Sequence, residues 1–183
     1  MPRNVRRGFD MINFEICDRG EAEYEGSRFF GDPVVPEKWA DKEPWPEDDI
    51  FMCQINLEDL NGFDTEGLLP GEGYLYFFAD VSDGIVIHPI LSLDEPDTIY
   101  EDCNMGFEYE TSDDIFTDWV IKFGKGNGSI LSREGDRIAL LEFDPRHTQM
   151  DFLKGIGGRV RVSVTESELR SGDLSGAVTD VVR

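Results

Sequence analysis

Residues 74–81 read YLYFFADV, a nearly continuous aromatic and apolar run. Gly73 precedes it and Ser82, Asp83 and Gly84 follow as a turn signal, so its length and boundaries are those of a strand buried on both faces. Such a strand needs a paired neighbour on each side and cover on each face, and the rest of the chain is read for what supplies them. Residues 85–91 come straight after the turn, and Pro89 places that run at a sheet edge, where a missing N–H breaks no ladder. Residues 50–57 form a strand before it. Residues 9–16 form the first strand, with Ile12, Phe14 and Ile16 on one face. Further strands are expected at 107–110, 115–123, 137–143, 159–164 and 178–182. In RVRVSV, Val160, Val162 and Val164 alternate with Arg159, Arg161 and Ser163, a period of two that leaves one face wet.

Helical signals are short. Residues 57–60 make one turn, and residues 166–171 make another, opened by a Thr165/Glu168 capping box and ended by Gly172. Residues 31–47 hold Pro33, Pro36, Pro44 and Pro46 together with Trp39 and Trp45. Four missing amides argue against regular structure there, and the two indoles predict an ordered loop laid over the core. The fold class read from these elements is α+β: one domain over residues 1–183, predominantly antiparallel strands with short helices.

The 183 residues (20.8 kDa) include 13 Phe and 39% hydrophobic residues, enough to bury a core without disulfides. Cys17, Cys53 and Cys103 are odd in number and widely spaced, which fits reduced thiols rather than a disulfide framework or paired zinc ligands. With no apolar run after the basic N-terminal residues and none long enough to span a bilayer, a cytoplasmic location is expected.

The charge is regional. From Glu43 to Ile121 the chain carries 21 Asp and Glu and no Lys or Arg, whereas the flanks are nearly neutral, within a total of −22. A one-signed field of this kind repels nucleic acid and anionic lipid and draws cations or basic proteins. A salt-adapted source is the competing explanation.

CQINLEDL followed by GEGYLYFF parallels LLEFDPRH followed by GIGGRVRVSV, which predicts an internal duplication of a strand–loop–strand unit, with halves at about 27–93 and 119–183. Ile55 falls on Phe143 and Gly73 on Gly158, and Phe30-Gly31 is matched with Phe123-Gly124. Chance likeness between two short β units is the alternative.

Gly31, Pro33 and Pro36, then Trp45-Pro46, Gln54-Ile55-Asn56, Leu69-Pro70, Gly73 and Leu75, Phe77 and Phe78 come in an order that resembles the YwqG-like family of bacterial proteins, a domain of unknown function. The resemblance runs from about residue 27 to 182 and is strongest in the first half. Asp32 stands where a second glycine is common, Asn56 where a carboxylate is usual, and FGKGNGS where the family tends to Gly-Tyr-Pro. The resemblance implies a compact β-rich fold with internal duplication, and carries over no catalytic residue.

No chemistry-bearing motif emerges from the residues themselves. His88 lies in the apolar run IVIHPIL and His147 in a turn, and no nucleophile elbow accompanies either. Gly124, Gly126 and Gly128 fit neither phosphate-binding spacing and read as a hairpin turn. No metal ligand set and no cofactor is expected: Asp59-Leu60-Asn61-Gly62 and the acids around Gly84 depart from the calcium-loop spacing.

Two functional readings remain. The first is a non-enzymatic acidic module for a basic protein, immunity- or antitoxin-like. Its contact set is Asp97, Tyr100, Glu101, Asp102, Glu108, Tyr109, Glu110, Asp113 and Asp114, where aromatics interleave with acids. A solvated connector whose aromatics face the core is the alternative for that stretch. The second reading is a small-ligand or divalent-metal-dependent enzyme whose pocket is walled by Trp39 and Trp45.

Overall fold

The computed structural model describes residues 11–17, 25–100, 120–146, 153 and 155–183. In chain order these form β1 (Ile12–Cys17), β2 (Arg28–Phe29), β3 (Val34–Val35), α1 (Lys38–Asp41), β4 (Ile50–Asn56), a 3-10 turn (Leu57–Leu60), β5 (Tyr74–Asp80), β6 (Val86–Ser92), β7 (Thr98–Ile99), β8 (Val120–Phe123), β9 (Gly128–Ile130), β10 (Ser132–Glu134), β11 (Arg137–Phe143), β12 (Arg159–Thr165), α2 (Glu166–Ser171) and β13 (Val178–Val182). The architecture is therefore a strand-dominated antiparallel sheet with a few short helices. α2 has the expected capping box, and Gly172 closes it in the left-handed conformation.

One sheet carries most of the strands, in the order β13-β12-β11-β9-β1-β8-β2-β4-β5-β6, with β10 on β11, while β3 and β7 pair apart from it. Its two ends come round to meet: the Ile87 N–H donates to Thr179 Oγ1 at 2.8 Å, so the sheet is a nearly closed barrel with β6 and β13 at the seam. Pro89 sits on the edge strand, where its missing donor is tolerated.

The order reads nearly the same from both ends. β4-β5-β6 and β11-β12-β13 are matching antiparallel meanders, and their registers coincide. Ile55 opposes Leu75 as Phe143 opposes Val160, and Gln54 opposes Tyr76 as Glu142 opposes Arg161. The register breaks at the same station, between Phe51 and Cys53 in one meander and between Ala139 and Leu141 in the other. Tyr74 opposes Ser92 as Arg159 opposes Val182. Between the meanders β1 pairs with β9 and β8 pairs with β2, while β1 and β8 pair with each other at the centre.

This strand order corrects two expectations. Residues 124–127 are not a hairpin turn, because β8 and β9 lie on opposite sides of β1, and the Gly124 N–H donates to the Asn13 carbonyl as the chain crosses. Phe123-Gly124 is also not the counterpart of Phe30-Gly31. Phe123 opposes Phe14 in the central pair, whereas Phe30 directly follows β2, as Leu131 directly follows β9. Phe30 and Leu131 are the described non-glycine residues with positive φ, 54° and 56°, each directly after β2 or β9. Residues 31–47 also hold more regular structure than their prolines implied, since β3 and the single turn of α1 both lie there.

Side-chain alternation divides the interior in two. Leu75, Phe77 and Ala79 of β5 face the barrel core with Ile55, Phe143, Val160 and Val162, whereas Tyr74, Tyr76 and Phe78 face outward into a second apolar cluster with Trp39 and Trp45. The outer cluster gives the first-half meander the cover that YLYFFADV demanded. In the second half the equivalent outer stations hold Arg159, Arg161 and Glu142, an ionic lattice at the surface.

Candidate functional site

The cover over the outer face is a strap, residues 31–47, and its fixings are specific. Trp45 stacks on Phe78 with centroids 4.2 Å apart and planes at 9°, and Trp39 meets Tyr76 edge-on at 5.1 Å. Tyr76 Oη donates to the Val34 carbonyl at 2.6 Å, the Val34 N–H donates to Gln54 Oε1, and Gln54 Nε2 donates to the Gly26 carbonyl. Arg28 is fully buried beneath the strap: it donates to the carbonyls of Phe30 and Asp32 and stacks its guanidinium on Phe51. Burial pushes the Tyr74 hydroxyl up to about 12 and that of Tyr76 well above its ordinary value, so both stay protonated donors.

The two indoles, 7% and 6% exposed, pack in the outer apolar cluster, and the strap residues that line the cavity at the barrel seam are the prolines flanking Trp45. That cavity is a groove of about 340 Å³ at the barrel seam, between Pro44 and Pro46, the β6 segment starting at His88, and the connector from Gly172 to Ala177. His88 Nδ1 lies 2.6 Å from Oδ2 of Asp49, whose side chain is 1% exposed while the imidazole is half-open to solvent. Burial raises the Asp49 carboxyl above its ordinary value; the His88 hydrogen bond opposes this, and Asp80 and Asp48 add to the rise. With Nδ1 engaged, Nε2 is the ring's remaining polar atom. Ser175 lines the same groove, but its hydroxyl donates to Asp173 Oδ1 at 2.7 Å, so a serine–histidine–aspartate relay is not what these groups form.

Of the contact set proposed from sequence, Asp97 and Tyr100 are described, and both fasten the strap. Asp97 Oδ1 accepts from the Glu37 N–H at 2.7 Å, and Tyr100 packs edge-on against Trp45 and donates to Glu43. Glu101, Asp102, Glu108, Tyr109, Glu110, Asp113 and Asp114 lie outside the described residues, as does His147. Among the described residues no group of three or more His, Cys, Asp or Glu is placed to hold a metal ion. Cys17 and Cys53 are free thiols. No described helix is long and apolar enough to cross a membrane.

Sequence reasoning missed the Asp49–His88 pair. Pro89 marked the edge strand and so the exposure of its neighbour, but nothing in the spacing joins residue 49 to residue 88, or either to residue 173. Their meeting depends on how the strap turns and how the seam closes.

Charge divides along the same line as the meanders. Residues 25–100, which build β2 to β7, carry 18 acidic and 3 basic residues, while residues 120–183 carry 9 and 10. In the second half Glu142 bridges Arg159 and Arg161, and Glu166 bridges Arg133 and Arg170. No curated protein matches the chain. Residues 27–103, the span from β2 to just past β7 that includes the whole strap, match the sequence model of a family described as a domain of unknown function (DUF1963).

Proposed function

We propose that this protein is a non-enzymatic binding module that presents its first-half meander and strap to a basic protein partner. The observation that carries the reading is the sorting of charge by topology. An acidic stretch of sequence becomes one side of a barrel, because β2, β4, β5 and β6 are consecutive in the sheet, while arginines neutralise much of the other side. A pole of this kind steers a cationic partner and weakens as salt shortens the screening length to below about 10 Å. An immunity- or antitoxin-like role in the cytoplasm is the concrete form we favour.

The order of the strap and strand motifs supports placing the chain with YwqG-like proteins. The coincident registers and register breaks of the two meanders support a duplicated unit. On that view the copies have diverged on their outer faces: one acquired an aromatic strap, the other an ionic lattice.

The test is capture of partners from the native host over a salt series, comparing the wild type with two charge-matched triple variants. Glu66→Gln/Asp83→Asn/Glu95→Gln neutralises exposed first-half acids, and Glu134→Gln/Asp136→Asn/Asp180→Asn does the same in the second half. Recovery of a basic protein that is lost on raising salt, and lost with the first triple only, is the expected result. Equal effects of both triples, or no salt-sensitive partner at all, would overturn the reading.

A further inference from the structure

The seam groove continues. A second groove of about 340 Å³ shares Leu91 and Gly172 with it, so the two adjoin there and together make a trough beside β6, past its Ile87–Thr179 bridge to β13. One wall is β6 and its extension to Leu93; the other is the end of α2 and the connector to β13. The ends differ in chemistry. At one end lie His88 and Asp173, with Asp49 behind the imidazole and Asp48 and Asp80 close enough to act on Asp49. At the other, Leu68, Leu69, Leu93 and Leu169 line the groove with Arg170, which is paired with Glu166, and Leu93 is 65% exposed.

The backbone of β6 adds a third feature. In an antiparallel strand the N–H and C=O of one residue point to the same side, and successive residues alternate. The Ile87 N–H points across the seam to Thr179, so Pro89 and Leu91, two and four residues on, also face the trough and not β5; Leu91 offers an N–H and a C=O there, and Pro89 a C=O alone. From His88 to Leu93 the edge runs roughly 17 Å at about 3.3 Å per residue, the length of a five- or six-residue extended segment.

We propose that the trough takes an extended segment of the basic partner as an added strand on β6. A Lys or Arg lies at the His88–Asp173 end and aliphatic side chains at the leucine end. Main-chain bonds to the Pro89 carbonyl and to the Leu91 N–H and C=O hold the segment on the edge, and alternate side chains supply selectivity, while the acidic end sets direction. This rests on the basic-partner reading and names the site within it.

The probe is the peptide acetyl-Lys-Thr-Val-Thr-Leu-Thr-amide, titrated against the full chain while the methyl resonances of Leu91, Leu93, Leu169 and Leu174 are followed. Two controls are its Glu-first counterpart and a version N-methylated at alternate amides. Saturable shifts of these methyls are expected, at least about tenfold weaker with either control. Leu93→Gln and Asp173→Asn should each weaken binding by about fivefold or more; the asparagine keeps the Oδ1 that Ser175 bonds. If the lysine peptide shifts residues elsewhere on the acidic half and leaves the trough unmoved, or if it fails to saturate, the trough assignment is overturned. The charge-triple capture experiment judges the basic-partner reading independently.

Discussion

Glu142 shows how one residue's environment is set by its station in the sheet. Directly opposite Arg161 and beside Arg159, it accepts from Arg159 Nε at 2.8 Å and from Arg161 Nε at 2.7 Å. Burial works to raise its carboxyl, but the two guanidinium bonds prevail and hold it below the ordinary glutamate value of 4.5. A folded-state value below the unfolded one means stability that is fully present above pH 4.5 and is lost as pH falls through the depressed value. Glu142→Gln should therefore cost about 1–2 kcal/mol near neutrality. The gap to wild type should close in acid, read from urea midpoints across pH; a gap independent of pH would show that the ion lattice is not its source. The arginines of RVRVSV were legible from sequence as an exposed face. Their acceptor was not, because residue 142 reaches residues 159 and 161 only through strand pairing.

At the level of elements, both glycines that lead into the meanders' middle strands are set by the neighbouring strand's end. A Cβ on Gly73 would lie 2.6 Å from the Ser92 carbonyl oxygen, and one on Gly158 would lie 2.7 Å from that of Val182. Gly73 also has φ of +106°, a conformation other residues rarely adopt. Gly73→Ala should destabilise by roughly 2 kcal/mol or more, and Gly158→Ala by an amount that is smaller yet still measurable by thermal unfolding. Indifference at both positions would mean the strand ends are free to part. Strands, caps and edge status were readable from the chain: period-two runs, a capping box and Pro89 are local signals that need no partner. The crossing of residues 124–127 over β1 was not. Glycines mark a sharp turn equally well whether the flanking strands pair with each other or with a third strand between them.

For the whole molecule, closure is the decision that creates the trough. The seam between β6 and β13 is bridged by a side chain, the Thr179 hydroxyl, which accepts from the Ile87 N–H. Thr179→Val keeps the shape and removes the bridge, at a cost of about 1 kcal/mol. Hydrogen exchange at the Ile87 amide should then accelerate by roughly fivefold to tenfold more than at core amides such as that of Phe77; no excess acceleration at Ile87 would place the closure elsewhere. What the sequence determined by itself was the longer antiparallel strands, the need to cover YLYFFADV on its second face, and the excess of acid over one stretch of chain, all properties of neighbours along the backbone. The short β2, β3, β7, β9 and β10 were not foreseen, and the strand expected at 107–110 lies outside the described residues. Tertiary structure alone decided that β1 and β8 pair at the centre of the sheet, that the indoles pack in the outer cluster while the prolines flanking Trp45 line a groove, and that Asp49 meets His88 beside a groove that Asp173 also lines. Those outcomes depend on which distant strands pair and where a sheet meets itself, and no local periodicity encodes a meeting of residues that far apart along the chain.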